Sequence, residues 1–105
     1  MNFELLKTLC ELNGTSGDEK NVRDFIISQL PDDCEYTVDP IGNLIVNKKG
    51  EAEPENKVAL FAHMDEVGFI VTYIHENGFV NVANVGGIDD SALFCKKISV
   101  RDPIS

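Results

Sequence analysis

The stretch LFAHMDEVGFIV, residues 60–71, places His63, Asp65 and Glu66 within four positions, between apolar runs. Groups that bind metal or move protons are expensive to bury unless something pairs with them. A neutral imidazole is a good ligand for zinc, cobalt or manganese when its other nitrogen is held by a carboxylate or carbonyl. His63 is therefore the candidate metal ligand. Asp65, two residues on, is placed to orient it or to steady a metal-bound water, and Glu66 is either a base or a solvent-facing residue. His-x-Asp alone is a weak signal, because a strand-end histidine is commonly just hydrogen-bonded. The two-histidine pattern His-Glu-x-x-His is absent from the chain.

A strand must deliver these groups. VALFA, residues 58–62, is a continuous apolar run of the kind expected where both faces of a sheet are covered. It ends at His63, and open α/β sheets gather ligands outside the carboxyl ends of their strands. Upstream, Leu5, Leu6, Leu9, Cys10 and Leu12 recur at helical spacing, with Asn2 as cap and Gly14 as stop. Ser16 and Glu19 have the spacing of a capping box. Val22, Phe25, Ile26 and Leu30 then line a second helix that Pro31 ends.

Beyond Pro31 the period changes. CEYTVD and NLIVN read as strands around the DPIGN turn, and VGFIVTYIH and FVNVANV flank Asn77-Gly78, a strong hairpin signal. KKISV is one further strand candidate. The expectation is α/β, with two helices and about six strands. Val58–Ala62 requires cover that no later helical pattern supplies, and RDPIS is a turn-like ending after a strand. Part of the fold, or a dimer partner, is expected to provide that cover.

The 105 residues suit one globular domain, with 43% hydrophobic residues. A formal net charge of −9 argues against a nucleic-acid footprint, which needs clustered Lys and Arg. No run approaches the ~20 apolar residues of a membrane span, and no signal-peptide succession opens the chain. A cytoplasmic protein is expected. Cys10, Cys34 and Cys95 read as reduced, mostly buried thiols. His75 sits beside the ENG turn as an exposed hairpin residue, and Asp89-Asp90 after Gly86-Gly87 reads as a turn or strand-end pair. Ser16 and Thr15 have no partnered histidine that would make either a nucleophile. The acidic stretch Glu51–Glu55 reads as a solvated loop.

AHMDEVGFIV resembles the signature of the M42 metallo-aminopeptidases, the glutamyl aminopeptidase group whose members are sometimes labelled cellulases or endoglucanases. LNGTSGDEKNVRDFI resembles that family's opening Ser-Gly-x-Glu segment, DPIGNLIV its Asp-x-x-Gly-Asn-Leu hairpin, and VGGID the segment where its inserted domain begins. The four matches follow the family's order and cover nearly the whole chain. The resemblance implies that residues 1–75 form the N-terminal part of a catalytic α/β domain with a zinc-peptidase-like three-layer sheet. Residues 76–105 would begin an inserted β-rich domain of the dimerisation type.

The resemblance also implies two divalent ions, zinc or cobalt, in the complete protein, which activate water and polarise the scissile carbonyl of a peptide substrate. His63 matches the first metal-binding histidine. Asp65 matches the aspartate of the catalytic site that orients that histidine without coordinating metal, while Glu66 and Gly68 match the signature without touching it. The family's bridging Asp, its catalytic Glu with a neighbouring ligand Glu, and the remaining Asp and His ligands all come after the inserted domain. At most one weak metal site is thus expected in this chain, with little or no peptidase activity from it alone, and homo-oligomers of the full-length protein. A naturally short, non-catalytic relative serving as an interaction or oligomerisation module is the alternative. A third possibility keeps the fold but hydrolyses amides or glycans on another substrate.

Overall fold

A computed structural model describes residues 2–52 and 55–100 of the chain. Helix α1 spans Phe3–Glu11 and α2 spans Lys20–Ser28. Four strands follow: β1 (Cys34–Val38), β2 (Leu44–Lys48), β3 (Gly68–Ile74) and β4 (Val80–Val85). They form two separate antiparallel pairs, β1 with β2 and β3 with β4. The chain divides between Glu66 and Val67 into two units, one carrying both helices and the first hairpin, the other carrying the second hairpin. No helix among the described residues is long and apolar enough to cross a membrane.

The helix ends follow local chemistry. Asn2 caps α1 as expected, its Oδ1 accepting from Leu5 N at 3.2 Å. The capping box at Ser16 and Glu19 does not form. Gly17 takes a φ of +92°, Asp18 N donates to Thr15 O at 2.7 Å, and the Glu19 carboxylate accepts from Gly17 N at 2.7 Å. The turn consumes the residues that would have capped, so α2 starts later, with Glu19 at its N-cap and no side-chain cap bond.

Both hairpins use one connection. Asp39 N bonds Asn43 O at 3.1 Å and Gly42 N bonds Asp39 O at 3.0 Å; His75 N bonds Phe79 O at 2.8 Å and Gly78 N bonds His75 O at 3.0 Å. The glycine in fourth place takes the positive φ each time, +94° at Gly42 and +87° at Gly78. These are three-residue loops closed by a left-handed glycine. Asn77 therefore supplies a side-chain acceptor, to Phe79 N at 3.2 Å, and not a second left-handed residue.

Asp39 organises the first loop. Its carboxylate accepts from Ile41 N at 3.0 Å, Asn43 N at 2.9 Å and Asn43 Nδ2 at 2.8 Å. The Asn43 side-chain bond, then the Asn43 backbone bond, hold this carboxyl below the ordinary value of 3.8. A lowered folded-state value means that the ionised form stabilises the turn above the ordinary value, and that this contribution is lost as pH falls through the lower one. The Ile41 and Asn43 amide resonances should accordingly titrate together, with a midpoint below that of a free aspartate. A midpoint at or above it would contradict the loop geometry.

Two further expectations fail. Four strands are described, not about six: Val58–Ala62 and Lys96–Val100 carry no regular structure. Val58, Leu60 and Phe61 are 87%, 94% and 94% exposed. A strand exists only beside a hydrogen-bonding neighbour, and no described element offers Val58–Ala62 an edge or a cover. Buried thiols also fail, since Cys10 and Cys95 are exposed and Cys34 is intermediate, although all three are free as expected. Pro54 and the turn-like ending at Arg101–Ser105 lie outside the described residues. Burial in the first unit centres on Val22, 7% exposed, and on Gly14.

Candidate functional site

The first unit brings three distant segments together around the start of α2. Thr15 and Glu66 form an isolated parallel bridge. Glu66 N donates to Gly14 O at 2.7 Å, Ser16 N donates to Glu66 O at 3.3 Å, and the Glu66 carboxylate accepts from Gly14 N at 3.3 Å. From α2, Arg23 reaches Gly42 O at 3.2 Å and ties the β1–β2 turn to the helix. Gly14 leaves no room for a side chain: an added Cβ would stand 2.7 Å from Val22 Cγ2 and 3.1 Å from Met64 O. Gly14 thus packs closely against the backbone of Met64, between His63 and Asp65.

His63 projects from that segment, its side chain 85% exposed. Nδ1 lies 2.9 Å from Asp65 O and 3.1 Å from Asp65 Oδ1. Both partners are acceptors only, so Nδ1 must carry the proton. In the neutral ring Nε2 then keeps its lone pair, the tautomer a metal-ligating histidine requires. A small open concavity of about 160 Å³ is lined by Glu19, Gly42, Asn43, His63 and Asp65, among others. A larger depression over residues 46–52 and 56–58, about 730 Å³, has no histidine or cysteine among its described lining residues.

The other tempting residues have local partners. His75 Nε2 lies 3.0 Å from Asn81 Oδ1 across the second hairpin, with its ring edge-on to Tyr73 at 4.7 Å. Asp89 caps a short 3₁₀ turn over Asp90–Leu93, accepting from Ser91 N at 2.9 Å and Ser91 Oγ at 2.7 Å. These bonds, the Ser91 hydroxyl first, lower its pKa. Ser16 and Thr15 serve the backbone clasp. The contacts of Gly14 and Glu66 were not legible in the sequence, although Gly14 directly precedes the Thr15-Ser16-Gly17 turn that the clasp holds.

The sequence model of the M42 glutamyl aminopeptidase family matches residues 42–103, more than half of the chain. The chain belongs to the M42 family. Among its relatives is the putative aminopeptidase FrvX of Escherichia coli strain K12, 43% identical over 102 residues, covering 96% of this chain and 28% of that protein. The lysyl aminopeptidase of Pyrococcus furiosus is 36% identical over 100 residues, covering 93% and 28% respectively. A solved structure of the Pyrococcus horikoshii TET1 peptidase, described as assembling into a tetrahedron or a large octahedral shell, superposes with a TM-score of 0.72 at 42% identity. That match covers 84% of this chain and 26% of the TET1 chain. This M42 chain thus spans about a quarter of the length of these relatives.

Metal chemistry in the M42 family can be tested against the residues present. His63, with Nδ1 engaged and Nε2 outward, fits one position of a metal site. Among the described residues no group of three or more His, Cys, Asp or Glu comes together, and a catalytic zinc takes about three protein ligands.

Proposed function

We propose that this chain is the N-terminal portion of a dinuclear metal-dependent aminopeptidase that removes N-terminal residues from peptides, with zinc or cobalt as its ions. The observation that carries this reading is the pair of Asp65 acceptors on His63 Nδ1, the carbonyl at 2.9 Å and the carboxylate at 3.1 Å, which hold Nδ1 as the donor and leave the Nε2 lone pair free. Family membership supports the reaction class. When bound, the ions supply Lewis-acid polarisation of a peptide carbonyl; this chain contributes His63 as one donor and Asp65 as the group that orients it. The other ligands come from residues beyond the segment.

On this reading residues 1–75 belong to a catalytic α/β domain whose remaining elements complete a three-layer sheet. Val58–Ala62 then becomes the covered strand its apolar run anticipates. Residues 76–105 open an inserted β-rich domain. The complete protein is a cytoplasmic homo-oligomer; its oligomerisation is supported by the assemblies of the TET1 peptidase.

The test is hydrolysis of a panel of aminoacyl p-nitroanilides by the purified chain with Co²⁺ or Zn²⁺, beside His63→Ala. No turnover above buffer is expected from either. Turnover that disappears in His63→Ala would show that the ligand set is complete within these residues and would overturn the proposal.

A further inference from the structure

We infer that Glu66 is a positioning residue for His63, acting through Gly14 and not by contact with substrate or metal. The inference rests on the reading of His63 as a metal donor. Glu66 grips the α1–α2 connection with all three of its polar groups: its N–H donates to Gly14 O at 2.7 Å, its C=O accepts from Ser16 N at 3.3 Å and its carboxylate accepts from Gly14 N at 3.3 Å. The carboxylate turns back onto Gly14 and so is withdrawn from the role of base. His63 lies only three residues upstream of this grip, and Nδ1 must find both the carbonyl and the carboxylate of Asp65, the residue next to Glu66.

Between His63 and Glu66 no regular sheet fixes the backbone, so its orientation must come from individual bonds. Met64 O meets the buried Gly14 on one side, and Glu66 closes the loop on the same glycine. The two contacts bracket Asp65. Loss of the side-chain bond frees one end of the bracket while leaving the hairpins and helices intact. Glu66 is itself exposed, so its carboxylate adds little to global stability, and the consequence is local.

The experiment compares Glu66→Ala and Glu66→Gln in this chain by amide hydrogen exchange and by the ¹⁵N spectrum of the His63 ring. In Glu66→Ala the Gly14 and Ser16 amides should exchange about tenfold faster, and the Nδ1–H tautomer should give way to a mixture. Thr37 and Ile45, a hydrogen-bonded pair of the β1–β2 ladder, should keep their protection. Glu66→Gln retains a carbonyl acceptor for Gly14 N and should restore both signals, which a role based on charge would not allow. Unchanged exchange and tautomer in Glu66→Ala, failure of Gln to rescue, or loss of β1–β2 protection would each overturn the inference. Line broadening at His63 on adding Co²⁺ to the unaltered chain tests the donor reading separately. If it is absent, that reading fails while the exchange comparison still decides the clasp.

Discussion

Gly14→Ala is expected to destabilise the first unit, although a glycine-to-alanine change at an ordinary backbone conformation usually does the opposite. Gly14 has no positive φ, so alanine would gain roughly 0.4–1 kcal/mol by restricting the unfolded chain. Against this stands an added Cβ at 2.7 Å from Val22 Cγ2 and 3.1 Å from Met64 O. Val22 is the buried hydrophobic residue of the unit, and a β-branched side chain has few rotamers into which it can retreat. Met64 O is backbone and can move only by carrying His63 and Asp65 with it. Overpacking of this kind costs roughly 1–3 kcal/mol, which exceeds the entropic gain.

A lowered urea midpoint should therefore come with shifted His63 and Asp65 resonances. Gly87→Ala is the control, since nothing lies within 4 Å of its added Cβ and its φ is not positive; it should be neutral or slightly stabilising. A raised midpoint in Gly14→Ala would mean that the Met64 segment yields freely.

Local chemistry was legible because its causes are local. Asn2 capped α1, and the glycines of DPIGN and ENG took the left-handed turn positions. Asp89-Asp90 proved a turn pair, for Asp89 needs only Ser91 two residues away. What failed depended on other parts of the fold. Val58–Ala62 carries the pattern of a buried strand, but a pattern encodes a demand for cover, and the described residues do not meet it. The Ser16-Glu19 spacing fits a capping box equally well as a turn, and the bridge from Glu66, 50 residues on, selects the turn. For the site, the pairing of His63 with Asp65 could be anticipated from spacing. The grip of Glu66 on Gly14 could not, since no periodicity links positions so far apart.

If His63 is a donor in the complete enzyme, Asp65→Ala should weaken metal binding by about tenfold, the low end of the roughly 10–100-fold range for groups that orient a ligating histidine. Two acceptors hold the Nδ1 proton, and the nearer is the backbone carbonyl of Asp65 at 2.9 Å, with the carboxylate at 3.1 Å. Alanine keeps the carbonyl. The tautomer should survive, and what disappears is the negative charge that makes the ring a stronger donor. That charge is partly screened, because the Asp65 side chain is 43% exposed. Asp65→Asn, which keeps a neutral acceptor in place, should behave like alanine in affinity, since charge and not geometry is lost in both. Calorimetric titration of Co²⁺ into the full-length protein reads the affinity, and the ¹⁵N spectrum of His63 in the present chain reads the tautomer without any metal. A loss of a hundredfold or more together with a mixed tautomer would place the orienting role on the carboxylate alone. A tenfold loss with the tautomer intact would show that the backbone sets the direction of His63 and the carboxylate its strength.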